Sequence, residues 1–150
     1  MRSFVLTVCA LAASASVVWA GQFTTVNGKI YDPNGNLFIA NGVNIPGYNE
    51  WVGRDPSSDV TKIADDWGFN MVRVMNQPFA SWQAPGYATN LDNIVNNYTA
   101  RGVVVVIETH ESSNTYYQGA QLTQAANWYA SLATKYKNNP YVWFSTGNEP

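Results

Sequence analysis

The fold is decided by the stretch Val103-Val104-Val105-Val106-Ile107-Glu108-Thr109-His110. It opens with five β-branched aliphatic residues that follow one another without a polar break. Such continuous runs are typical of strands buried on both faces, as in parallel sheets that helices cover. The run therefore predicts a strand over 103–109 within a parallel α/β sheet.

Three further apolar runs repeat this pattern along the chain. The four predicted strands cover 37–44, 69–75, 103–109 and a last stretch that begins at Tyr141. Their spacing of roughly 31 to 38 residues is that of a strand followed by a helix. Strand–helix units in a row indicate a right-handed β/α winding.

Helices are predicted between the strands, where apolar residues recur at helical spacing. Ser57 or Ser58 caps the first helix and Asn90 caps the second, while Gly68 and Gly102 end them. The third helix is the longest. The predicted apolar faces are Val60, Ile63, Ala64 and Trp67; Leu91, Ile94, Val95 and Tyr98; and Leu122, Ala125, Ala126, Tyr129, Leu132, Ala133 and Tyr136.

Two architectures fit this winding: an open doubly wound sheet, and half of a (β/α)8 TIM barrel. A hairpin predicted over 23–36, with Asn27-Gly28 as its type I′ turn, precedes the first strand and favours the barrel. A nucleotide-binding sheet is disfavoured because no glycine-rich phosphate loop follows that strand. We therefore predict an α/β barrel truncated to about the first four β/α units, because a full barrel needs about 250 residues and the chain has 150.

The N-terminus has the three parts of a secretory signal peptide. Met1-Arg2-Ser3 carries a positive charge, an apolar run extends from Phe4 to about Ala15, and Val18-Trp19-Ala20 offers a cleavage site. We expect a secreted, extracellular protein with a signal peptide over 1–20, a hairpin cap over 21–36 and the first half of a catalytic barrel over 37–150. The single cysteine, Cys9, lies in the signal, so the mature fold contains no disulfide.

Composition narrows the class of partner. The chain has 8 Lys and Arg against 10 Asp and Glu, and no basic patch, which argues against a nucleic acid. The apolar part of the signal is too short to span a membrane. With one histidine and no cysteine cluster, neither a metal nor another cofactor is expected. Abundant neutral polar and aromatic side chains suit an uncharged, polyhydroxylated ligand such as a polysaccharide or oligosaccharide.

The last predicted strand ends in polar residues: Tyr141-Val142-Trp143-Phe144-Ser145-Thr146-Gly147-Asn148-Glu149-Pro150. Catalytic groups of parallel α/β folds lie at the carboxyl ends of strands. Glu149 can protonate a glycosidic oxygen if its surroundings, Trp143 or the neighbouring strand, raise its pKa. Asn148 can hydrogen-bond a sugar hydroxyl. The alternatives are a helix N-cap for Glu149 and a turn residue for Asn148.

Two other predicted strands carry charged residues. Arg73 lies within a strand, where a buried arginine needs a partner, either a catalytic carboxylate or a structural ion pair. Glu108 and His110 alternate onto one face of the third strand and reach its carboxyl end. The histidine suits an acid–base group, a substrate donor or, less well, a metal ligand.

Aromatic residues are frequent in the predicted strand-to-helix loops, which form one rim in this fold class. Each alone suits a loop anchor, but together they suit a sugar-binding cleft. Among them, Tyr48, Trp51 and Trp82 are predicted to bind substrate, together with Glu108. The full set is Tyr48, Trp51, Phe79, Trp82, Tyr87, Tyr116 and Tyr117.

Several of these motifs together resemble a known family. The strand Gly68-Phe69-Asn70-Met71-Val72-Arg73, the strand end Glu108-Thr109-His110 and the ending Gly147-Asn148-Glu149-Pro150 are similar to the first half of a family 5 glycoside hydrolase. The opening Gly28-Lys29-Ile30-Tyr31-Asp32, with Gly42-Val43-Asn44, resembles the entry to bacterial-type β-mannanases and endoglucanases. The resemblance covers 26–150.

The resemblance implies a retaining endo-β-glycanase that cleaves plant-type polysaccharide. By position, Glu149 matches the acid/base, Asn148 its substrate-binding neighbour, Arg73 the arginine that orients the nucleophile, and His110 a substrate-contacting histidine. The family's nucleophile is a glutamate on the seventh strand, so a four-stranded chain is expected to be inactive by itself. β-1,4-Glucan, β-mannan and xylan all remain open. The alternative is a non-catalytic, secreted carbohydrate-binding or interaction protein that keeps the barrel scaffold.

Overall fold

The computed structural model describes residues 21–47, 55–79, 87–111 and 116–149. The signal peptide predicted over 1–20 lies outside these ranges, as do Tyr48, Trp51 and Trp82. The strands are β1 (Thr24–Val26), β2 (Lys29–Tyr31), β3 (Leu37–Phe38), β4 (Gly42–Pro46), β5 (Met71–Asn76), β6 (Val104–Thr109) and β7 (Val142–Ser145). The α-helices are α1 (Tyr87–Thr99) and α2 (Gly119–Tyr136).

A three-stranded antiparallel sheet, in the order β1-β2-β3, precedes the main sheet. Its first turn is the predicted type I′ hairpin, because Asn27 and Gly28 both have positive φ, at 50° and 73°. The predicted single strand over 37–44 is wrong. Leu37–Phe38 pairs with β2, and a separate strand begins at Gly42.

The break between those two strands has a definite cause. The side chain of Asn70 donates a hydrogen bond to the backbone oxygen of Ile39 at 2.9 Å and accepts one from the backbone nitrogen of Asn41 at 2.8 Å. One amide thus takes over backbone groups that a continuous strand would pair with its neighbour. The chain can then change direction from the hairpin sheet to the main sheet.

The main sheet is parallel, with the strand order β4-β5-β6-β7. A doubly wound sheet reverses its order at a switch point, whereas here spatial order follows sequence order. Parallel strands in sequence order with helices between them are the arrangement of the first four units of a (β/α)8 barrel, as predicted.

The core lies between the sheet and the helices. Val72 and Val74 of β5 and Ile107 of β6 are fully buried and belong to one cluster with the apolar face of α1. That face is confirmed and consists of Leu91, Ile94, Val95 and Tyr98. The other face of the sheet contains Arg73 and Val106, which are partners in register.

Two predicted helix starts are wrong. Asp55 rather than Ser57 or Ser58 caps the first helical segment, because its Oδ1 accepts a hydrogen bond from the backbone nitrogen of Ser57 at 2.9 Å. That segment is a 3-10 turn, Pro56–Asp59, followed by a π-helix, Thr61–Asp66. Helix α1 begins at Tyr87, so Asn90 lies inside it instead of capping it.

Helix α2 buries less of its predicted apolar face than expected. Ala125 and Leu132 are buried, whereas Leu122, Ala126 and Ala133 are exposed. The sheet covers one side of the helix, and these three side chains lie off that side. Within the described ranges, no helix combines the length and the apolar character that crossing a bilayer requires.

Aromatic residues join the hairpin sheet to β7. Phe23 lies in edge-to-face contact with Phe38, Tyr141 and Trp143, at centroid distances of 5.1, 5.5 and 5.1 Å. Such contacts add to the burial of apolar surface. The hairpin is thereby held against the start of the fourth parallel strand.

Candidate active site

The predicted site residues of the main sheet lie on neighbouring strands, towards the ends where polar loops follow. Register pairs Met75 with Glu108 and Glu108 with Ser145. The carboxyl ends of β5, β6 and β7 therefore meet along one edge. In barrels of this class, that edge carries the chemistry.

One guanidinium nitrogen of β5 contacts both the end of β6 and the loop after β7. Nη2 of Arg73 donates to Oε2 of Glu108 at 2.6 Å and to Oδ1 of Asn148 at 2.7 Å. The Arg73 side chain is 29% exposed, while that of Glu108 is fully buried. The partner that a strand arginine requires is thus present, together with an amide from the loop after β7.

The second oxygen of the same carboxylate contacts the histidine. Oε1 of Glu108 lies 2.9 Å from Nδ1 of His110. A buried carboxylate is tolerated when charged or polar donors satisfy it, and here each oxygen has such a partner. Glu108 was predicted to bind substrate. In the structure the carboxylate of Glu108 is fully buried at the carboxyl end of β6. A contact between Glu108 and substrate remains a prediction.

Asn76, which sequence reasoning missed, ties the ends of β5 and β6. Its fully buried side chain donates to the backbone oxygens of Val74 at 2.8 Å and Glu108 at 2.9 Å. Its own backbone oxygen accepts from the nitrogen of His110 at 2.6 Å. The available signal was an amide directly after an apolar strand.

Tyr129 of α2 ties the ends of β6 and β7 in a similar way. Its hydroxyl donates to the backbone oxygen of Ser145 at 2.6 Å and accepts from the backbone nitrogen of Thr109 at 2.9 Å. Burial raises the pKa of this hydroxyl, which keeps it a donor. The sequence pattern predicts Tyr129 only as part of an apolar helix face.

The loop after β7 presents Asn148 and Glu149 differently. Asn148 is 5% exposed and is held through Arg73. Glu149 is exposed, and its φ of 40° is in a region that residues other than glycine rarely adopt. Trp143, one of the two surroundings predicted for Glu149, packs against Phe23 and Phe38, and Glu149 itself is exposed.

Sequence comparison assigns the family. Residues 31–150 match the family described as "Cellulase (glycosyl hydrolase family 5)". This chain belongs to glycosyl hydrolase family 5.

Relatives of this family 5 chain include both endoglucanases and mannanases. It is 29% identical over 133 residues to Endoglucanase N of Pectobacterium atrosepticum, covering 87% of this chain and 30% of that protein. It is 28% identical over 153 residues to a mannan endo-1,4-beta-mannosidase of Cellvibrio japonicus (strain Ueda107), covering 100% of this chain and 35% of that protein. The chain thus spans about a third of the length of the curated relatives it matches.

Solved structures share the fold. The catalytic domain of a mannanase from Streptomyces sp. SirexAA-E superposes with a TM-score of 0.66 at 22% identity, covering 99% of this chain and 46% of that one. The catalytic domain of alkaline cellulase K gives a TM-score of 0.64 at 19% identity, covering 89% and 40%. Both likenesses agree with the strand order of the half barrel.

Some aromatic residues of the loops pack against other rings, and one is exposed to solvent. Phe79 packs edge-on against Tyr117 and Trp128, at centroid distances of 6.2 and 6.3 Å. Tyr116 is 73% exposed. Phe79 and Tyr117 therefore act as loop anchors in the described structure, and Tyr116 has the accessibility that stacking on a sugar requires.

Among the described residues, no group of three or more His, Cys, Asp or Glu side chains could hold a metal ion.

Proposed function

We propose that this chain supplies the acid/base half of a secreted, retaining endo-β-glycanase that hydrolyses β-1,4-glucan or β-mannan. The observation that carries the proposal is the fork from Nη2 of Arg73 to Glu108 and Asn148, with Glu149 next in the chain. Membership in a glycosidase family and relatives named as endoglucanases and mannanases support the reaction class.

Each group has a definite role in this proposal. Glu149 protonates the glycosidic oxygen as the bond to the leaving sugar breaks, and later takes a proton from the attacking water. Asn148, which Arg73 holds in place, donates from its amide nitrogen to a sugar hydroxyl. The exposure of Glu149 leaves it accessible to a bound chain. His110 contacts the same sugar, and Tyr48, Trp51 and Trp82 remain our predicted stacking residues.

The nucleophile must be a second carboxylate about 5–5.5 Å from the acid. Glu108 is a poor nucleophile, because it is fully buried and its oxygens contact Arg73 and His110. We therefore place the nucleophile in a second half of the barrel, and regard the 150 residues as part of a longer enzyme. The coverage of the relatives, about a third of their length, supports this view.

The test uses the complete gene product that contains this chain, on β-1,4-glucan and β-mannan. Glu149→Gln should abolish polysaccharide hydrolysis but spare the first step on aryl glycosides, whose good leaving groups need no proton. Added azide should then restore turnover and give a β-azide product. The control is Asp66→Asn, because Asp66 is an exposed carboxylate of the π-helix. This variant should hydrolyse polysaccharide at the parent rate.

Two results would contradict the proposal. Hydrolysis of polysaccharide by the Gln variant at the parent rate would remove Glu149 from the mechanism. A complete gene product that binds cello- or manno-oligosaccharides without cleaving them would favour the alternative, a non-catalytic carbohydrate-binding protein. Residues 21–150 alone are expected to be inactive on either polysaccharide.

We propose secretion because residues 1–20 have the pattern of a signal peptide. Mass spectrometry of the protein from the culture medium should find a mature N-terminus at or near Gly21. A mature form that begins at Met1 would contradict this part of the proposal. The neutral-sugar partner requires neither nucleic acid nor a membrane surface.

A further inference from the structure

The carboxylate of Glu108 has two partners from two different strands. Its Oε2 accepts from Arg73 of β5, and its Oε1 contacts His110, which directly follows β6. The side chain is fully buried, so bulk water compensates only in part for a lost partner. Any change in this carboxylate therefore reaches both the guanidinium and the imidazole.

The chemistry of the pair fixes where the histidine proton lies. An ionised carboxylate only accepts hydrogen bonds, and arginine, its other partner, is always charged. Nδ1 of His110, 2.9 Å from Oε1, must therefore be the nitrogen that carries a proton. In the neutral ring, Nε2 is then the acceptor.

We propose that Glu108 is a positioning residue, which fixes His110 as the Nδ1–H tautomer and holds Nη2 of Arg73 beside Asn148. His110 then receives a hydrogen bond at Nε2 from a hydroxyl of the sugar. The link to a sugar rests on the proposed function, whereas the tautomer and the position of Arg73 do not. The same carboxylate thus determines that Nε2 of His110 accepts hydrogen bonds while Nη2 of Arg73 donates them.

The tautomer can be measured directly in the complete gene product, in which the ring signals of His110 are identified by their loss in His110→Asn. We would record the long-range ¹H–¹⁵N correlations of that ring in the ¹⁵N-labelled gene product at alkaline pH, where an imidazole is neutral. The expected pattern is Nδ1–H with an unprotonated Nε2. Free histidine prefers the opposite tautomer, so a folded chain that shows Nε2–H would overturn the proposal.

Glu108→Gln provides the second arm. Its amide oxygen can still accept from Arg73, but its amide nitrogen then faces Nδ1 of His110 and donates to it. The ring should therefore switch to Nε2–H. The matched control is Glu111→Gln, because Oε1 of Glu111 accepts from the backbone nitrogen of Phe79 at 2.6 Å and the Gln oxygen can do the same. The control should keep Nδ1–H, and a folded Glu108→Gln that also keeps it would overturn the proposal.

Activity of the complete gene product gives an independent readout. Glu108→Gln should lower kcat and kcat/KM alike, by about 100-fold, the usual effect of misplacing groups that act in the transition state. A rise in KM at unchanged kcat would contradict a positioning role. If Glu149→Gln retains activity while the tautomer is Nδ1–H, the proposed function fails and this inference stands. If Glu149→Gln is inactive while the tautomer is Nε2–H, this inference alone fails.

Discussion

Nη2 of Arg73 donates a hydrogen bond to Oδ1 of Asn148 at 2.7 Å, although 75 residues separate the two in sequence. The bond crosses β6 and joins β5 to the loop after β7. Its direction also orients the amide, because Asn148 accepts with its oxygen and keeps its nitrogen as the donor end. The loop after β7 is thus fixed by a residue on a strand that is not its neighbour.

Replacing Arg73 with methionine should destabilise the fold strongly. The buried carboxylate of Glu108 would lose its charged partner, and breaking a buried pair in this way costs about 3–5 kcal/mol. We expect about 3 kcal/mol, the lower end, because the Arg73 side chain is 29% exposed and water can reach it. Urea denaturation at neutral pH measures this loss. Arg101→Met is the control, since its exposed pair with Asp65 at 3.3 Å should contribute less than about 1 kcal/mol. Equal losses in the two variants would contradict the prediction.

The sheet could be predicted because its signals are local. The run of valines that became β6 and the residues of α1 that became the core needed no distant information. The break between β3 and β4 was missed because its cause, Asn70, lies 31 residues after Ile39. The start of α1 was missed because Asn90 also suits a cap when judged alone.

The residue types of the candidate site could be predicted from the sequence, but their hydrogen-bond and packing partners could not. A charged residue within an apolar strand identified Arg73, and alternation on one strand placed Glu108 with His110. Asn76 and Tyr129 were missed because their main partners are backbone atoms, which no pattern of side chains reveals. The contacts of Trp143 with Phe23 and Phe38 were missed because those rings lie far from Trp143 in sequence.

Two tyrosine-to-phenylalanine changes should differ in their effect on stability. Tyr129→Phe leaves the oxygen of Ser145 and the nitrogen of Thr109 without their partner hydroxyl, at a cost of about 1–3 kcal/mol. Tyr98→Phe should be neutral or stabilise by up to about 1 kcal/mol, because its buried hydroxyl has no partner among the described residues. Thermal and urea denaturation of both variants check this. A clear loss of stability in Tyr98→Phe would mean that its hydroxyl has a partner elsewhere in the chain.

Gly47→Ala should disturb the site through Asn76. A Cβ at Gly47 would overlap the Asn76 side chain and lie 2.9 Å from the backbone oxygen of Met75, so about 1–3 kcal/mol of stability should be lost. Because Asn76 binds the backbones of Glu108 and His110, the ring resonances of His110 should also shift. Gly35→Ala is the control: it has open space but a φ of 84°, so it should lose about 1–2 kcal/mol and leave the His110 signals unchanged. An unshifted His110 in Gly47→Ala would contradict the coupling.

Acid should weaken the contact between α1 and α2 through Asp92. Burial by itself raises the pKa of Asp92, but hydrogen bonds from Lys135 and Tyr136 outweigh it and lower the pKa below its ordinary value of 3.8. Nζ of Lys135 lies 2.5 Å from the carboxylate, and the hydroxyl of Tyr136 also donates to it. A carboxylate whose folded pKa is depressed stabilises the fold above its unfolded pKa, and this contribution is lost as pH falls through the folded pKa.

The corresponding variant is Asp92→Asn. At neutral pH it should be less stable than the parent by about 0.5–1 kcal/mol, a modest value because the Asp92 side chain is 33% exposed. Below about pH 4 the difference should shrink, since the parent carboxylate is then protonated and gives up its ion pair. Urea denaturation at a series of pH values from neutral to acidic measures the difference. The control is Asp66→Asn, which removes an exposed ion pair with Lys62 within one helix. Its effect on stability at neutral pH should be smaller than that of Asp92→Asn. A difference between Asp92→Asn and the parent that stays constant down to pH 2 would show that Asp92 does not titrate between the two states as its contacts require.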